Sequence, residues 1–356
     1  MRSLLLISAL TAITLDGVHP NTAYVEGREL VIESECTLEM ERVAFEIVRD
    51  GEPMDMGDRG GSGSSETRSV VIRDTYESVD KEGVPTSQMR AFETVELSSV
   101  MSMMGEEMED EREGRLHELT LALKIEDDEV ICEVEDGVEP DEEDALEGHT
   151  LGLGTDAALP DEEVEEGESW ELENEAVRSI LGLDVERALF GGRPATAEGE
   201  EGGGRGRGGR GGRGMRGRSS GGFSTLVQAE WEGEATLESA EAELDDVKCC
   251  IIALSFEASG EFEPPEREGG FGGRGRGGRS LELSNESAAV LVGIAYEAEF
   301  EGKLWFSLEE NRPLQMEIEG DVSVISESVR EWGESSIEMY SETEGEFELT
   351  LTVTEE

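Results

Sequence analysis

The sequence predicts an all-β, mainly antiparallel protein, built on a large curved sheet or incomplete barrel with one or two packing helices. Alternation of apolar and acidic residues with period two recurs along most of the chain, the signature of strands with one buried and one solvated face. Successive strands follow one another without long helical patterns between them, which favours antiparallel hairpins. Many of the alternating runs are ten or more residues long, roughly 33 Å at the usual rise per residue. Long, one-sided, meandering strands suit a curved sheet better than a small sandwich.

Residues 1–19 read as a signal peptide. Arg2 precedes an apolar run from Leu4 to Leu15 (LLLISALTAITL), the length of a secretory apolar region and too short to span a bilayer. Residues 20–356 then form one curved-sheet domain. In its first strand Leu30, Ile32, Cys36, Leu38 and Met40 share one parity while Glu33, Glu35 and Glu39 take the other. Met54–Ser65 (MDMGDRGGSGSS) has the composition of a disordered hairpin loop. Val100–Met108 (VMSMMGEEM) is a methionine-rich patch, read as a short helix or lid or as adaptable core filler. Leu119, Leu121 and Leu123 mark a further strand. Glu175–Phe190 places Val177, Ile180, Leu181, Val185 and Leu189 on one helical stripe, weakened by Gly182.

The second half repeats the strand pattern. Val227, Ala229, Trp231, Ala235 and Leu237 alternate with glutamates, as do Val290, Val292, Ile294, Tyr296, Ala298 and Phe300. Glu301-Gly302-Lys303 reads as a turn, followed by a strand through Leu304, Phe306 and Leu308 and a second turn at Glu309–Arg312. Leu314, Met316, Ile318, Val322 and Val324 form the next strand, and Phe347, Leu349, Leu351 and Val353 the last. With roughly 1.5–3 kcal/mol for each large apolar side chain buried, about ten such strands supply a substantial core.

Two glycine-rich tracts, 199–222 and 268–279, interrupt this pattern and read as disordered loops between strands. The first could instead divide the chain into two halves, but strand character is the same on both sides of it. Together they hold nine of the arginines, Arg205, Arg207, Arg210, Arg213, Arg216, Arg218, Arg274, Arg276 and Arg279, in a chain of formal net charge -58 with only four lysines. A body so rich in carboxylates repels polyanions and anionic membranes and is at ease where salt screens it, as in a halophilic host. The tracts resemble RGG boxes, which imply nucleic-acid binding, but aromatic partners are sparse and the acidic body opposes it. Contact with an acidic partner or with the protein's own acidic surface is the reading that fits the charge.

Four cysteines suit an oxidising compartment. Cys249 and Cys250 are adjacent and so too close to bond each other in ordinary geometry; at most one shares a face with Cys36 or Cys132. One disulfide with two free thiols and two disulfides are both open.

Leu159-Pro160, Val164, Gly167, Ser169 and Trp170 resemble the LP…V…G…W signature of secreted bacterial β-proteins of unknown function. With its long alternating strands, the chain is similar in outline to the periplasmic lipoprotein-carrier class. That resemblance implies a curved antiparallel sheet partly closed by helices around an apolar cavity. The lipid-anchoring cysteine of secreted lipoproteins is missing. On their own chemistry, Pro160 and Gly167 shape a turn and Trp170 anchors the strand after it.

Nothing points to catalysis. His19 lies in or beside the leader, His117 heads a strand as a surface residue, and His149 sits in a glycine-flanked turn; none has a nucleophile at a recognisable spacing. No CxxC pair seeds a zinc site, and no cofactor motif is present. Asp127, Asp128 and Asp136 offer only turn carboxylates outside any EF-hand pattern. The expected role is non-enzymatic, secreted or periplasmic: binding of an apolar small molecule or envelope component in a cavity lined by Met104, Trp231, Val290 and Ile294. The alternative is a structural protein whose cationic loops contact acidic partners.

Overall fold

A computed structural model describes residues 17–54, 62–103, 106–127, 129–138, 140, 143–191, 222–262, 290–332 and 335–356. It shows a large antiparallel sheet of 13 strands that does not close into a barrel. In the first half β1 (Glu29–Arg49), β3 (Ser62–Val79), β4 (Pro85–Met103), β6 (Leu119–Glu126) and β7 (Glu129–Asp136) meander outward from the sheet's centre. The short β2 (Glu52–Pro53) pairs with β1, and β5 (Glu106–Glu113) with β4. The chain then crosses to the opposite edge, β8 (Ser169–Leu172). From there β9 (Trp231–Leu244), β10 (Val247–Phe262), β11 (Val290–Ser307), β12 (Arg312–Trp332) and β13 (Ser335–Glu355) meander back. The last strand closes on the first, from Leu30 opposite Glu355 to Arg49 opposite Ile337. One continuous sheet therefore joins the two halves.

Turn chemistry fixes the register. Asp245 and Asp246 both take positive φ in the two-residue link between β9 and β10, as do Asp50 and Gly51 between β1 and β2. Two positive φ values match the strands' right-handed twist, which is why Asp and Gly stand there.

Among the described residues one face of the sheet carries the covering elements. These are two short 3-10 turns (Glu143–Leu146 and Gly154–Ala158), α1 (Asn174–Ile180), α2 (Glu186–Phe190) and α3 (Gly222–Gln228). The predicted single helix over 175–190 is thus two: Gly182 takes φ +67 and breaks it between Leu181 and Val185. Helix α3 was not foreseen, and it takes Val227, which alternation had assigned to a strand. The Val100–Met108 patch is a hairpin of β4 and β5, with Met101 opposite Met108, and not a helix. The end of the glycine-rich stretch after Met54 belongs to β3, which starts at Ser62. Glu301-Gly302-Lys303 is no turn, since β11 runs through it. A Cβ on Gly302 would meet Ile318 Cγ1 at 2.7 Å, so its missing side chain makes room for the next strand.

The main core lies beneath α1 and α3. Its centre is a row across five strands, Phe256, Phe300, Gly320, Phe347 and Leu38, each opposite the next. Phe300 and Phe347 sit on either side of β12, yet their rings stack at 4.3 Å and 7°. They meet because the residue between them is Gly320, where a Cβ would lie 2.7 Å from the Phe300 ring. A second core under α2 gathers Phe92, Val95, Leu121 and Leu189.

All four cysteines are free, which overturns the expected disulfide. Cys36 lies on β1, Cys132 on β7 and the pair on β10. Cys36 is four strand spacings, roughly 19 Å, from either of the others and Cys132 is eight from the pair, all far beyond disulfide reach.

Candidate functional site

Among the described residues the covering elements do not extend along the whole length of the helix-bearing face. Toward one end of the sheet the register defines three further rows. Ile294, Ser326, Ser341 and Phe45 stand opposite one another across β11, β12, β13 and β1. The next row outward is Val292, Ser328, Met339 and Ile47, and the outermost is Val290, Arg330, Ile337 and Arg49. Phe45, Ile47, Ile294, Ile337 and Met339 are only half-buried, and none belongs to any of the four buried cores of the described residues. Ser326, Ser328 and Ser341 form a low floor between these bulkier side chains. Among the described residues no buried core extends over these rows, which leaves a partly apolar channel along the strands.

A β-bulge shapes its inner end. Arg42 pairs with Thr343 and Ala44 with Glu342, so Val43 is the extra residue. It turns outward, 50% exposed, and puts Arg42 and Phe45 on the same face. The Arg42 guanidinium lies over the Phe45 ring at 4.8 Å. It makes no ion pair or hydrogen bond among the described residues, and its Nε is buried without a partner.

Of the residues expected to line a cavity, the structure describes the side chain of one, Ile294, in these rows. Ile294 is a wall residue, and Val290 has the same parity in the outermost row. Trp231 shares the face but lies deep in the main core, 2% exposed, its ring 5.1 Å from Phe300 and its indole N–H donating to the Leu226 carbonyl at 3.2 Å. Met104 lies outside the described residues, as do all nine arginines of the glycine-rich tracts.

The opposite face is polar. A trough of about 560 Å³ crosses β9 to β13, lined by Glu234, Glu301, Glu317, Glu319 and Glu348 with Lys303 and Trp305. Lys303 is paired with Glu238 at 2.8 Å. This is the solvated side of the alternation.

Polar groups buried on the helix-bearing face hold down the crossover between β7 and β8. Arg90 binds Asp74 through two hydrogen bonds, 2.8 and 2.7 Å, and donates to the Gly152 carbonyl at 3.0 Å. The Gly152 N–H donates to Gln88 Oε1 at 2.9 Å, and the Leu153 N–H to the Tyr24 hydroxyl at 2.8 Å. Tyr24 and Thr22 both donate to Asp156, whose carboxyl burial pushes above the usual range. His149 is buried against Phe92; desolvation, helped by Arg90, lowers its pKa to about 4. His117, expected on the surface, is partly buried, and its Nδ1 accepts the Val95 N–H at 3.0 Å. Arg68 is held between the rings of Phe190 on α2 and Phe223 on α3 and bound by Glu66 and Glu186. These groups fix the cover of the sheet. Among the described residues no three His, Cys, Asp or Glu are grouped to hold a metal ion, and no helix is long and apolar enough to cross a membrane.

Comparison with known proteins adds a distant likeness. No family model and no curated protein matches the chain. Among solved structures it is similar to one titled "Lipid-protein interactions in lipovitellin", at 7% identity and a TM-score of 0.28. The match covers 90% of this chain but 25% of that one.

Proposed function

We propose that this is a non-enzymatic protein that works outside the cytoplasm and takes an apolar ligand, or the apolar part of an envelope component, into the open channel. One observation carries the reading. The apolar parity of the sheet continues past its described helical cover through Phe45, Ile47, Ile294, Ile337 and Met339, grouped on one face of a chain that carries 87 acidic residues. Side chains half covered by the sheet still gain on the order of 1 kcal/mol each when a ligand covers the rest. The charged start and the apolar run Leu4–Leu15 support export.

An environment-sensitive apolar dye tests this. The folded protein is expected to take it up at a saturable site, and Ile294→Asp and Met339→Glu should each weaken uptake about tenfold or more. Circular dichroism and the melting temperature control for folding. Non-saturating uptake, or saturable uptake that neither substitution changes, would overturn the reading.

A further inference from the structure

The channel has a cation at its inner end, Arg42, that among the described residues makes no ion pair or hydrogen bond. Carboxylates outnumber basic groups heavily in this protein, 87 to 29, and most described arginines on the sheet have taken one: Arg28, Arg68, Arg73 and Arg90 are all in ion pairs. Arg42 is not. Its guanidinium rests on Phe45, the first side chain of the apolar channel, with Nε buried and unsatisfied. A buried donor left unmade costs free energy that a bound acceptor recovers, and a planar guanidinium is matched by a carboxylate.

We infer that the ligand of the channel is a long-chain fatty acid, its carboxylate bound by Arg42. Its tail runs outward over the serine floor, between Phe45 and Ile47 on one side and Ile294 on the other. From the row of Arg42 and Thr343 to that of Ile337 is six residues, roughly 20 Å at the usual rise per residue, the reach of an extended acyl chain. The bulge at Val43 is what makes the site: without it, Arg42 and Phe45 would face opposite sides. The assignment rests on the apolar channel proposed above and adds the head group.

Displacement of the bound dye by palmitate and by the matching uncharged alcohol, cetyl alcohol, tests it on the full chain. Wild-type protein is expected to prefer palmitate by about tenfold, as for a hydrogen bond to a charged group. Arg42→Gln should bring that ratio close to one, and Arg42→Lys should keep part of it. Equal displacement by both compounds in the wild type, or an undiminished ratio in Arg42→Gln, would overturn the head-group assignment while leaving the channel standing. Displacement by neither compound would overturn both. The wild-type comparison and Arg42→Lys keep the test decisive if Arg42→Gln fails to fold.

Discussion

Two buried titrating residues bear on stability with opposite signs. His149 has a folded pKa of about 4 against an ordinary 6.5, so between those values the unfolded chain binds the extra proton and stability falls as the solution is acidified. Glu186 is pushed up to about 7 from 4.5 by burial, which outweighs the attraction of Arg68, so the folded protein holds the proton and stability falls as pH rises through that window. Asp156 is shifted in the same direction as Glu186. The slopes oppose each other between about pH 4.5 and 6.5, each at most ~1.4 kcal/mol per pH unit. Relative to the wild type, His149→Gln is expected to make stability decline more steeply with rising pH across this range, and Glu186→Gln less steeply. Denaturant melts at several pH values check this; parallel profiles for both variants would contradict it. These charged positions were legible in part. Arg42 continues the parity of Leu38 and Met40, and Arg68 and Asp74 that of Val70 and Ile72, so cations and anions stood where apolar residues were due. The bulge that recruits Phe45 was not legible, because it depends on the partner strand's count of residues and not on β1 alone.

Glycine placement decides packing at the level of strands. Gly320 faces the core between Phe300 and Phe347, and a Cβ there would come 2.1 Å from the Glu299 carbonyl oxygen. Gly320→Ala is expected to cost about 1–3 kcal/mol, the usual penalty of overpacking, and to part the stacked rings. The melting temperature and aromatic circular dichroism read both effects; an unchanged melt would show that the row has slack. The same property explains two errors of the sequence reading. Gly302 looked like a turn because glycine so often marks one, whereas here it yields space to Ile318. Gly182 looked like a weak point in a helix and is in fact its break. Helix α3 escaped because Val227 within it and Ala229 just past it continue the parity of Trp231, and so short a helix cannot be told from a strand by period alone.

At the scale of the molecule, alternation established that there would be a large antiparallel sheet, since it reports which face each residue takes. It carries no information about strand order. That the first and last strands pair at the centre, and that the crossover between β7 and β8 lies on the helix-bearing face, follows from long-range contacts such as those of Arg90 and Gln88 with Gly152. Likewise the parity of Ile294 and Val290 marked an apolar face, but only the limits of the helical cover show which part of that face is open. Trp231, equally apolar by sequence, is closed core. The open part is the basis of the functional account. Its most direct test is to purify the protein in high salt from the envelope fraction of its own host, extract it with organic solvent and analyse the extract by mass spectrometry beside native spectra of the intact protein. The account predicts an acyl compound in near-stoichiometric amount, depleted from Met339→Glu purified in the same way. A wild-type chain that carries no extractable compound, or a compound retained undiminished by Met339→Glu, would contradict it.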